Sequence, residues 1–206
     1  MRNQYSDTTT SRATGIVRSF FFLITLTLLL ITGCKKSNDV AASSATPTPS
    51  VATSRSKPGP AANYVWGDVI KFGLGGDSER IKREGWSTTE EKMTWTVGNA
   101  AKLALTVSAS DLPLTLRMRG AGFTQASVPT QPVEVLANGQ KIADWQATSD
   151  PVDFTAVIPA SIAKQGGELI LEFKIPKAVS PKALGVSADP RVLGICCFEL
   201  AITQGG

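Results

Sequence analysis

Leu114-Thr115-Leu116-Arg117-Met118-Arg119 alternates apolar and polar residues without a break. A period of two puts Leu114, Leu116 and Met118 on one face of a strand and Thr115, Arg117 and Arg119 on the other. Residues 168–175, ELILEFKI, repeat the pattern with Leu169, Leu171, Phe173 and Ile175 on one side. Residues 102–107 do the same with Leu103, Leu105 and Val107. Shorter β-compatible runs, 133–136 and 141–146, flank Ala137-Asn138-Gly139-Gln140. An Asn-Gly pair there predicts a tight hairpin, because both residues accept positive φ. Residues 152–158 form another run, and PASIAK at 159–164 fits one helical turn before Gly166-Gly167. Residues 65–72 and 195–202 bring the set to about eight strands. Outside the N-terminal apolar run, no stretch has helical periodicity. The expected fold is all-β: an antiparallel β-sandwich, jelly-roll-like, over residues 63–206.

The chain has 206 residues, enough for one domain with appendages. With 18% charged and 42% hydrophobic residues it matches neither a disordered chain nor a multi-span membrane protein. It contains no His. That excludes a Ser-His-Asp or Cys-His nucleophile, a His general base and a His-ligated zinc.

Residues 1–33 read as a signal peptide. Arg2, Arg12 and Arg18 face only Asp7, and SFFFLITLTLLLIT at 19–32 is too short to span a bilayer, which takes roughly 20 residues. Ile31-Thr32-Gly33-Cys34 ends the run and resembles the bacterial lipobox. The resemblance implies lipidation: diacylglycerol on the Cys34 sulfur, cleavage before it, and acylation of the new amino group. The implied partner is a membrane, because two or three acyl chains hold stably where one is marginal. Lys35 stands where inner-membrane lipoproteins carry Asp, so the resemblance points to the outer membrane, facing the periplasm. Cleavage would remove three Arg and one Asp, leaving 18 basic and 16 acidic residues. The whole-chain charge of +4 therefore reports mainly the leader, and no basic stripe suggests nucleic acid. Residues 34–62, the Cys and a Ser/Thr/Pro/Ala-rich stretch, bury too little to offset their ordering entropy. They read as a disordered tether with a span of about 30 Å. It serves as a spacer off the membrane, or as a linker with no length requirement.

The other motif is Gly85-Trp86-Ser87-Thr88-Thr89-Glu90-Glu91-Lys92-Met93-Thr94-Trp95, in which both Trp are expected to border a strand. Further on come the Asn138-Gly139 hairpin, Ser180-Pro181, Leu184-Gly185 and Asp189-Pro190-Arg191-Val192-Leu193-Gly194. Together they resemble an uncharacterised β-sandwich domain found at the C-terminal end of some bacterial membrane glycosyltransferases and in free-standing envelope proteins. Met93 stands where that pattern tends to have Gly, so the turn before Trp95 departs from it. The resemblance implies a jelly-roll-like fold comparable with carbohydrate-binding modules and carries no settled activity.

Trp faces stack on sugar C–H surfaces, and a carboxylate and an Arg bind hydroxyls. Trp86, Glu90, Trp95, Asp189 and Arg191 are the candidate ligand-binding residues if they converge. The other reading is structural: the Trp pair caps the core, Glu90 accepts loop N–H groups, and Asp189 and Arg191 pin the loop before the last strand. A glycosidase needs two carboxylates about 5–9.5 Å apart across a sugar, and no such pair shows in the sequence, so a non-enzyme is expected. Cys196-Cys197 alternates in a strand, putting Cys196 with Phe198, Leu200 and Ile202, and Cys197 with Ile195 and Glu199; plain packing is expected. Asp77-Ser78-Glu79 lacks the spaced acidic ligands of a Ca²⁺ loop, and no metal or cofactor is expected. The partner is a polysaccharide or, alternatively, another envelope protein.

Overall fold

The computed structural model describes residues 60–205, so the expected signal peptide, the expected lipidation of Cys34 and the expected tether up to residue 59 lie outside the described residues. The strands are β1 (Ala62–Asn63), β2 (Ile70–Lys71), β3 (Thr94–Val97), β4 (Ala100–Val107), β5 (Leu114–Gly122), β6 (Gln131–Ala137), β7 (Gln140–Ala147), β8 (Val152–Ile158), β9 (Gly167–Lys174) and β10 (Leu193–Gln204). One sheet runs β1-β4-β9-β6-β7. The other runs β2-β10-β5-β8, with β3 sharing an edge of β10. With the two-residue strands set aside, β4-β9-β6-β7 faces β3-β10-β5-β8. Each sheet thus interleaves early and late strands, which is the jelly-roll winding. These pairs are all antiparallel; the short β1 adds the one parallel pairing, Ala62 opposite Leu105.

The alternating runs build the interior. Leu114, Leu116 and Met118 on β5 face Leu169, Leu171 and Phe173 on β9, each at most 2% exposed, while Arg117 and Arg119 point outward. The β6–β7 turn has φ of 47° at Asn138 and 81° at Gly139, as an Asn-Gly hairpin requires. Asn138 also ties the hairpin to β9: its Oδ1 accepts the Ile170 N–H at 2.7 Å. The helical turn expected after β8 is α1 (Ala160–Ala163).

Three expectations are corrected. Residues 65–72 are not a strand: Gly67, at φ 89°, turns the chain, Val65 and Val69 face solvent, and only Ile70–Lys71 pairs with β10. Trp95 does not border a strand but lies within β3, opposite Cys196. The faces assigned to the cysteines also change, because the β10 register slips between Cys197 and Glu199. A bulge reverses the alternation. Cys197 therefore joins Ile195, Leu200 and Ile202 in the core, and Cys196 points to the opposite face.

Candidate functional site

The chain between β2 and β3 leaves the β10 sheet for the edge of β4 and then returns to β3, and this crossing creates the site. After a 3-10 turn at Ser78–Arg80, residues 81–84 hydrogen-bond along the edge of β4 that β1 also lines, with Arg83 N–H on the Lys102 carbonyl and Lys102 N–H on that of Glu84. Residues 85–87 then run along β3, with Val97 N–H on the Gly85 carbonyl and Ser87 N–H on that of Trp95. Gly85 makes the step at φ 78°, and a Cβ there would collide with the Ala100 carbonyl. Only glycine satisfies both demands.

Trp86 plugs the gap between the sheets at this crossing. Its ring packs on Phe72 at 5.2 Å and edge-on against Phe173 at 6.3 Å, and its indole N–H donates to the Lys102 carbonyl at 2.8 Å. The half-buried ring also walls a groove of about 360 Å³. The groove's polar lining comes from Glu79, Lys82, Arg83, Ser87, Thr88 and Thr89. Lys82 is the pivot: its side chain is 6% exposed and its ammonium pairs with Glu79. It also donates to Thr89 Oγ1 at 3.1 Å and to the Ser87 carbonyl at 3.3 Å. Desolvation, the largest influence on Glu79, raises its pKa, but the hydrogen bonds from Lys82 and Thr89 together hold it below the usual carboxylate range. An aromatic wall beside fixed donors and acceptors suits a polyhydroxylated ligand.

The five candidate residues fall in two places. Trp86 is alone at the groove. Glu90, Asp189 and Arg191 form an ion cluster joining the loop before β3 to the loop before β10. Arg191 grips Asp189 through Nη2 at 2.7 Å and Nε at 3.0 Å, and reaches Glu90 Oε1 through Nη1 at 3.1 Å. Asp189 also accepts the backbone N–H of Arg191 at 2.9 Å. The Arg191 hydrogen bonds hold the Asp189 carboxyl below its ordinary range, and Asp189 in turn raises the guanidinium. Glu90 thus meets a guanidinium rather than loop N–H groups, and its own N–H closes the turn onto the Met93 carbonyl at 2.9 Å.

Trp95 turns to the outer face of β3, since Thr94 and Thr96 beside it are fully buried. It meets Phe123 edge-on at 6.3 Å and lies across from Cys196. Burial pushes the Cys196 thiol up to about 11, with nearby Glu90 adding in the same direction. Cys197 is pushed well above the ordinary thiol range by burial. Both thiols are free.

Glu79, Lys82, Arg83, Thr88 and Thr89 were not among the sequence candidates. Residues 79–84, ERIKRE, are mixed in sign, and only the pairing of residues 81–84 with β4 turns Lys82 inward. Among the described residues, no group of three or more Cys, Asp or Glu is placed to hold a metal ion, and no helix is long and apolar enough to cross a membrane.

No protein-family model matches this chain, and no curated protein sequence matches it. Solved structures with a similar course include the CBM36-1 domain of a multidomain xylanase from the hindgut metagenome of Trinervitermes trinervoides. It has a TM-score of 0.41 and 15% identity, over 68% of this chain and 98% of that one. The xylan-binding module CBM15 has a TM-score of 0.41 and 11% identity, over 67% of this chain and 97% of that one. The C-terminal CBM6 of the laminarinase LamC from Zobellia galactanivorans has a TM-score of 0.37 and 10% identity, over 66% of this chain and all of that one.

Proposed function

We propose that this chain is a lipid-anchored bacterial envelope protein whose jelly-roll domain holds a glycan, without cleaving it, in the groove beside Trp86. One observation carries the binding half: the Trp86 ring and the hydrogen-bonding groups of Lys82, Ser87, Thr88 and Thr89 converge on a single open groove. The anchor rests on Ile31-Thr32-Gly33-Cys34 after the apolar run, and Lys35 favours the outer membrane, with the domain in the periplasm. The lining supports a binding role rather than hydrolysis. Glu79 is the groove's one carboxylate and is held ionised by Lys82, whereas a glycosidase needs an acid and a partner carboxylate.

Affinity electrophoresis of the purified protein through gels containing soluble polysaccharides tests this reading. Retardation by at least one polymer, lost in Trp86→Ala after correction for folded fraction, is expected. Migration unchanged by every polymer would instead support a structural protein that docks on another envelope protein.

A further inference from the structure

The charge of the groove points beyond glycans in general. Five arginines lie among the described residues. Arg80, Arg117, Arg119 and Arg191 each have a carboxylate partner. Arg83, on the wall of the groove, has none among them. Its Nη1 donates to the carbonyls of Lys82 at 2.9 Å and Arg80 at 3.3 Å, and its Nη2 to that of Pro60 at 3.1 Å. These carbonyls orient the guanidinium and leave its charge uncompensated. Lys82 offsets Glu79, so the groove keeps one net positive charge. A guanidinium with donors to spare pairs best with a planar carboxylate.

We propose that the groove selects carboxylate-bearing, uronate-containing glycans over neutral ones, with the sugar face on Trp86 and the carboxylate on Arg83. This rests on the glycan reading above. Polygalacturonate, dextran sulfate and neutral xylan compared in affinity electrophoresis at low salt test it.

The expected result is polygalacturonate retarding the wild-type protein at concentrations about tenfold lower than xylan. Arg83→Gln should erase that preference while keeping the weak xylan retardation, and Arg83→Lys should keep part of it. Because Arg83 also holds Pro60, a thermal melt accompanies each variant. In the wild-type protein alone, raising salt to about 0.5 M should remove the preference, since the Debye length falls to a few ångströms. Equal retardation by polygalacturonate and xylan would overturn this proposal and leave the glycan reading standing. Dextran sulfate binding as tightly as polygalacturonate would overturn the carboxylate assignment. No retardation by any polymer would overturn both readings.

Discussion

Cys196 and Cys197 show how much one residue's environment decides. Both sit on β10 with thiols raised by burial, Cys196 to about 11. The thiolate is the reactive form, so neither is poised for chemistry at neutral pH. Iodoacetamide at pH 8 should leave both unlabelled in the folded protein and label both after denaturation, read by mass spectrometry; fast labelling of native Cys196 would show that its cover opens. Arg191 is a second case. It holds two carboxylates, but the cluster is about a third exposed, and such solvent-screened pairs add little to stability. Its role is to set the two loops.

At the scale of elements, the long alternating strands were legible in the sequence and the short pieces were not. Residues 114–119 and 168–175 carry several full periods, so one face is plainly apolar. Thr94–Val97 is four residues long, and its inward side chains are Thr94 and Thr96, which satisfy themselves on the backbone: Thr94 on the Phe72 carbonyl at 2.7 Å, Thr96 on that of Ile195 at 3.1 Å. A polar inward face carries no hydrophobic signal. The bulge in β10 was equally invisible, because Cys196 and Cys197 fit either face. For the site, the aromatic half was legible in Trp86, while the polar half depends on where residues 81–84 pair. Gly85 controls that pairing. Gly85→Ala adds a Cβ at positive φ against the Ala100 carbonyl and should cost roughly 2–4 kcal/mol, read from the denaturant midpoint. A variant as stable as wild type would mean that the crossing can shift.

For the whole molecule, pH dependence follows from the carboxylates. Hydrogen bonds from Arg191, Arg117 and Lys174 lower Asp189, Asp153 and Glu134 respectively. Asp77 and Glu79 are also lowered: desolvation raises each, but the hydrogen bonds and basic partners around them together outweigh it. A folded-state pKa below the unfolded value contributes stability that is present above the unfolded pKa, about 4, and is lost as pH falls through the folded one. With no His in the chain, the melting temperature should stay nearly flat from pH 5 to 8 and drop below about pH 4. A drop between pH 5 and 7 would contradict this. The anchor has its own test: Cys34→Ala should leave an unprocessed precursor that takes up no labelled palmitate, and unchanged labelling would remove the lipoprotein reading.

The central claim is that Trp86 and its groove hold a glycan, and the indole N–H resonances test it most directly. The four Trp sit in different settings: Trp145 stacks inside on Phe154, Trp66 lies against Tyr64, Trp95 is on the outer face of β3, and Trp86 is at the groove. The isotope-labelled protein is titrated with oligogalacturonate and with a neutral xylan oligosaccharide, and the indole and backbone amide signals are followed. The predicted result is a saturable shift of the Trp86 indole with the amides of Ser87, Thr88 and Thr89, the other three indoles staying in place. No shift with either sugar, or a shift centred on Trp95, would contradict it.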